Sequence, residues 1–160
     1  MKTNILTYLD EALTKKVSDY DVALDWDKKN HTIEIVLRLF AENKEKLTID
    51  DATGVESEEE IIEFEDGILL FNPAKSKFNE ADYLAVFPYE GKKGMAKAML
   101  DGLVDYLKDV LDKGQSDLLD FLTDESAAVF ELTFDHDVLF ALMNSYKAKD
   151  GASYIPYPAY

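Results

Sequence analysis

The chain has 160 residues, 47% of them apolar and 19 of them aromatic, which suits one domain with a substantial core. Acids outnumber bases 33 to 17, a net charge of −16, and Arg38 is the only arginine, so direct nucleic-acid binding and docking on anionic membrane are disfavoured. With no cysteine, disulfides, thiol catalysis and Cys-ligated metal centres are excluded.

Ile5, Tyr8, Leu9, Ala12 and Leu13 recur at helical spacing, which predicts a first helix from about Asn4 to Val17. The start of the chain lacks the unbroken apolar stretch of a signal peptide. No apolar run reaches the ~18 residues of a membrane span, so the expected setting is cytoplasmic. At Tyr20 the period changes to two. Tyr20, Val22, Leu24 and Trp26 face one way, and Asp21, Asp25 and Asp27 the other. After a turn at KKN, Ile33, Ile35, Leu37 and Leu39 alternate in the same manner, so the pair reads as an antiparallel hairpin with Trp26 in the core.

Residues 42–57 are polar and without period, and read as a surface loop. The run ESEEEIIEFEDGILLF follows, with seven acids in its first eleven positions. Asp66-Gly67 lies between two strand-like stretches and predicts a two-residue hairpin turn. YLAVFPYE, ending near Pro88, is one more strand.

From Gly94 the helical period returns. Residues 95–112 divide into an apolar half (Met99, Leu100, Leu103, Leu107 and their neighbours) and a polar half carrying Asp101, Asp105, Asp109 and Asp112. That polar half reads as a solvated face laced with lysine pairs rather than a metal ladder. Gly114 is expected to end the helix and Ser116 to cap a short successor. AVFELTF is a candidate strand, and Asp135 a candidate N-cap for a last helix from His136 to about Tyr146. The expected fold is α+β: a single antiparallel sheet of about 4–6 strands with the N-terminal helix and the C-terminal helices packed on it. Residues 1–150 form the domain, and 151–160 a Tyr/Pro tail.

Catalytic signatures are missing. No serine lies in a nucleophile-elbow context, and the glycines form neither a dinucleotide nor a phosphate loop. His31 and His136 lack the spacing of a metal pair. No enzymatic activity, cofactor or metal is therefore expected. Two features remain as candidate protein-binding sites. Glu58, Glu59, Glu63 and Glu65 belong to the acidic run, whose bland reading is the wet face of a strand that keeps its edge from pairing with other chains. Tyr154, Tyr157 and Tyr160 share one face if the Pro-rich tail adopts a three-residue period. That face either completes the chain's own core or docks on another protein.

The stretches YDVALDWDKKNHTIEIVLRLF, EEEIIEFEDGILLF and GQSDLLDFL resemble an uncharacterised domain-of-unknown-function family of small acidic proteins from Gram-positive bacteria. The resemblance covers the chain to about residue 145 and implies a bacterial cytoplasmic setting, but no activity. Three functional classes stand from the residues themselves. The leading one is a non-enzymatic acidic protein-binding module, adaptor or chaperone-like, whose partner is a protein that includes the case of a second copy of the chain as a homodimer. The others are an acidic mimic of nucleic acid that inhibits a basic protein, and a carboxylate enzyme using a divalent metal.

Overall fold

A computed structural model describes residues 3–42, 49–50, 56–57, 61–123 and 130–158. Helix α1 (Ile5–Lys16) starts at Asn4, whose side chain accepts from the Thr7 amide while Thr7 returns the bond to the Asn4 amide. Strands β1 (Asp21–Asp27) and β2 (Thr32–Glu42) form the expected hairpin, paired residue for residue from Asp27↔Thr32 to Asp21↔Arg38. His31, in the left-handed region at φ 56°, closes the turn between them.

Within the stretch read as a loop, β3 (Ile49–Asp50) pairs with β4 (Glu56–Ser57). Strand β5 (Ile61–Phe71) then runs straight through Asp66-Gly67, so no hairpin turn lies there. It pairs along its whole length with β2, with Leu37 opposite Asp66 and Val36 opposite Gly67. Two eleven-residue strands in full register satisfy all their shared ladder bonds, and a turn in the middle would forfeit half of them. Gly67 is outside the left-handed region and serves another purpose. A Cβ there would collide with Glu34 Oε2, so the glycine leaves room for that carboxylate.

Strand β6 (Ala85–Pro88) joins β5 in parallel, giving a mixed four-stranded sheet in the order β1-β2-β5-β6. Three of its strands are antiparallel as expected, and the fourth returns through residues 72–84. Strand β7 (Met95–Ala96) leads into helix α2 (Lys97–Thr123), and helix α3 (His136–Asp150) begins at its Asp135 cap.

Gly114 does not end α2, which runs on to Thr123 and is 27 residues long in all. A Cβ at 114 would collide with Leu132 Cδ2 and stand 3.0 Å from Leu39 Cδ1, so this glycine admits two core leucines to the helix backbone. Phe130–Phe134, the described part of the candidate strand, joins no sheet. It lays aromatic rings on the core, with Phe130 edge-on to Phe64 at 4.7 Å and Phe134 edge-on to Tyr106 at 5.1 Å. These side chains gain more from ring packing than the backbone would from a further edge.

All three helices lie on one side of the sheet. Leu100, Leu103, Leu107 and Leu111 of α2 share a single buried cluster with Ile33, Ile35 and Leu37 of β2 and Ile5 and Leu9 of α1. The tail completes it. Strand β8 (Tyr154–Ile155) pairs with β7, Ile155 is buried, and the Pro156 carbonyl accepts from the Ile5 amide at 2.9 Å. Tyr157 stacks on Tyr89 (4.6 Å, 11° between planes) and accepts from Trp26 Nε1 at 2.7 Å. Trp26 is half-buried rather than enclosed, and this tyrosine covers it edge-on.

Two outcomes follow from this packing. Deleting residues 152–160 removes Ile155 and Tyr157 from the core, and chemical denaturation should register a loss of a few kcal/mol that does not depend on protein concentration. Gly114→Ala opposes two effects. An open helical site gains about 1 kcal/mol from the exchange, but crowding Leu132 and Leu39 costs about 1–3 kcal/mol. Net destabilisation in urea melts is the expected result, and stabilisation would mean that the leucines stand clear.

Candidate protein-binding face

The sheet side away from the helices is built from the alternate residues that the core does not claim. Rows across β1, β2 and β5 place Asp21, Arg38 and Glu65 together, then Ala23, Val36 and Gly67, then Asp25, Glu34 and Leu69. Phe40 and Glu63 form the row beyond Arg38. Arg38 is the only cation among these residues. Its Nε lies 3.0 Å from Glu65 and 3.7 Å from Glu63, and its terminal nitrogen 3.6 Å from Asp21. Together the face carries Asp21, Asp25, Asp27, Glu34, Glu63 and Glu65 around one guanidinium, a formal −5, with Phe40 exposed beside them.

Glu34 is the strained member. Its carboxylate lies across the space that Gly67 leaves open. Partial burial raises its pKa above the usual 4.5, and the charges of Asp25, Glu65 and Asp66 push the same way. Asp66 belongs to the opposite row, beside Leu37. Burial lifts its carboxyl too, against the lowering hydrogen bonds from the Gly67 and Leu84 amides.

Glu63 and Glu65 therefore stand on this face, whereas Glu58, Glu59 and Tyr160 lie outside the described residues. Of the tail tyrosines, Tyr154 and Tyr157 are not part of it, and they meet different partners. Tyr157 is stacked inside the molecule, while Tyr154 lies under Lys93 Nζ (4.0 Å to the ring) and bonds to Glu90. Asp21, Asp25, Glu34 and Arg38 were not singled out from sequence as site residues. Their signal was the period-two alternation, which marks an outward face without saying that two outward faces adjoin.

The aspartate stripe of α2 is divided: Asp101 and Asp105 lie in a seam between helices, whereas Asp109 and Asp112 stay on an exposed face. Tyr8 of α1 donates to Asp101, Tyr146 of α3 to Asp105, and Tyr20 to Asp112. Lysines complete each group: Lys97 with Asp101 (3.1 Å), Lys16 with Asp105, and Lys108 with Asp112 (3.1 Å). Burial, with the Asp101 bond second, pushes Tyr8 up to about 12; burial and Asp112 do the same for Tyr20.

At the head of the seam Lys97 also reaches Asp150, at 2.9 Å. The Asp150 side chain is 6% exposed, and no N–H or hydroxyl meets its Oδ2. Burial and the bond to Asp150 raise the Asp101 carboxyl, while the same bond lowers Asp150. Lys97, bonded to both carboxylates, ties α2 to the end of α3. Among the described residues, no three His, Asp or Glu side chains converge as metal ligands, and no helix is long and apolar enough to cross a membrane.

A sequence-family model described as protein of unknown function (DUF3013) matches residues 1–159. Among solved structures, the chain is similar to a conserved protein of unknown function from Enterococcus faecalis. The two are 52% identical, with a TM-score of 0.91 over 99% of this chain and 97% of that one. No curated protein matches.

The crowding around Glu34 has a measurable sign. A carboxyl whose pKa is raised in the fold binds its proton more tightly folded than unfolded. Its ionisation then opposes folding as pH rises through and above 4.5. Glu34→Gln removes that opposition. The variant should melt higher than the parent at pH 7, and the difference should vanish as pH falls below about 4. Equal melting at pH 7 would show that Glu34 ionises freely.

Proposed function

The chain belongs to the DUF3013 family of proteins of unknown function, and from that premise we propose that it is a non-enzymatic protein-binding module that receives a basic partner on the outer face of its sheet. The observation that carries this reading is the row structure of that face, in which Asp21, Glu63 and Glu65 surround Arg38, Asp25, Glu34 and Asp27 follow in the rows beyond, and an exposed phenylalanine stands at the margin. A field of this sign attracts Lys- and Arg-rich protein surfaces and repels polyanions. Exposed Phe40 adds apolar area where a partner would exclude water. Like charge disfavours a homodimer that joins two copies through this face. A cytoplasmic setting agrees with the lack of cysteine.

The groups whose proton affinities are most perturbed, Tyr8, Tyr20 and Lys97, are engaged in ties to the aspartates of α2, which favours binding over catalysis. Imitation of nucleic acid is a special case of the same chemistry, in which the basic partner is itself a nucleic-acid-binding protein. Release of a DNA duplex from such a partner would mark that case.

A labelled octalysine peptide tests the face. Binding should weaken at least tenfold between ~0.05 and ~0.5 M salt as the Debye length contracts. The pair Asp25→Lys and Glu65→Lys should abolish it, whereas the same charge change at exposed Glu11 and Asp109 should leave most of it. If both double variants lose binding equally, net charge alone attracts the peptide and the face is not a site.

A further inference from the structure

The two edges of the main sheet are unlike. Strand β6 is four residues long and ends at Pro88, two ordinary protections against pairing with another chain. Strand β1 has neither. It is seven residues long, contains no proline, and pairs one-to-one with β2 without a bulge. Along its free side runs a groove of about 290 Å³ between α1 and β1, with an apolar floor of Leu13, Val17, Val22 and Leu24 and polar Asp10, Thr14, Ser18 and Tyr20 at its walls. The groove lies on the helix side of the sheet. Asp21, Asp25 and Asp27 lie on the other side of the same edge.

We propose that β1 is a strand-addition edge for an extended segment that alternates apolar and basic residues. This rests on the protein-binding reading above and names the form of the partner. A strand laid beside β1 directs alternate side chains to opposite faces. One set enters the groove beneath α1, against Leu13, Val17, Val22 and Leu24. The other lies beside Asp21, Asp25 and Asp27, where lysine or arginine is matched and acidic or neutral residues are not. The aspartates protect the edge against strands in general, and a basic strand turns that protection into selectivity. Charge complementarity thus fixes the occupant as a basic, alternating segment rather than a second copy of β1, whose own aspartates would face these.

The probe is an acetylated, amidated peptide of four valines alternating with three lysines. It should bind the full chain, and Thr14→Trp, which fills the groove from an exposed position, should weaken binding at least tenfold. Two N-methylated versions give the signature of a ladder. Methylating the valine amides or the lysine amides removes donors from one edge of the peptide only, so one version should lose binding and the other retain it. If both versions bind like the parent and Thr14→Trp has no effect, strand addition is overturned. Retained sensitivity to Asp25→Lys with Glu65→Lys would then leave the acidic-face reading standing. Insensitivity to that charge reversal as well would remove both.

Discussion

Among the described residues the sheet has its α-helices on one side, and most of the molecule follows from that constraint. Helix α2 covers the inner rows of β2 and β5, so alternate residues of those strands are apolar, with Asp66 the exception. The alternate residues meet water or the 72–84 connection, whose Phe78 packs on Phe71 at 4.7 Å. What remains uncovered needs polar side chains, and this chain supplies carboxylates almost alone. The acidic face is therefore both a consequence of the architecture and the most distinctive surface it produces.

A net charge of −16 would oppose any compact fold if its members were spread evenly. The chain deals with it in two ways. On α2 Asp101, Asp105 and Asp112 are each bound by a tyrosine hydroxyl and a lysine, which turns like-charge neighbours into ties to the elements beside the helix. On the outer face Arg38 is the one cation among the described residues that is paired with these carboxylates, and burial, followed by the charges of Asp25, Glu65 and Asp66, raises the Glu34 pKa. The first arrangement uses its charges within the fold, and the unspent electrostatic attraction for a cation lies in the second.

Much of this was legible in the residues. Alternation placed the β1–β2 hairpin, helical spacing placed α1 and the apolar half of α2, and Asp135 marked the start of α3. The errors cluster at glycines. Gly67 and Gly114 carry the local signs of a turn and a helix end, but each is small because a distant side chain approaches it: Glu34 in one case, Leu39 and Leu132 in the other. Local pattern cannot tell a glycine chosen for backbone freedom from one chosen for space. The aspartate stripe misled for a related reason. Its spacing is that of a solvated face, and only the placement of Tyr8 and Tyr146 on neighbouring helices reveals a seam. Glu63 and Glu65 drew notice in the sequence because they lie in a charge run; Asp25 and Glu34 did not, because each is ordinary within its own strand.

The tail connects these parts to function. After α3 the chain turns at Gly151 (φ 64°), bonds through the Ser153 carbonyl to the Lys97 amide, and reaches the Ile5 amide through Pro156. It ends its described course with Tyr157 on Trp26. It thus fastens the first residues of α1 and α2 and one end of β1 to a single strap. Helix α1 and strand β1 are the two walls of the edge groove, and both are held at one end by this segment. A binding edge whose walls are already fixed loses less freedom when a partner arrives. Tyr157, which looked from sequence like part of a docking peptide, is thus engaged within the chain, next to the edge proposed for strand addition.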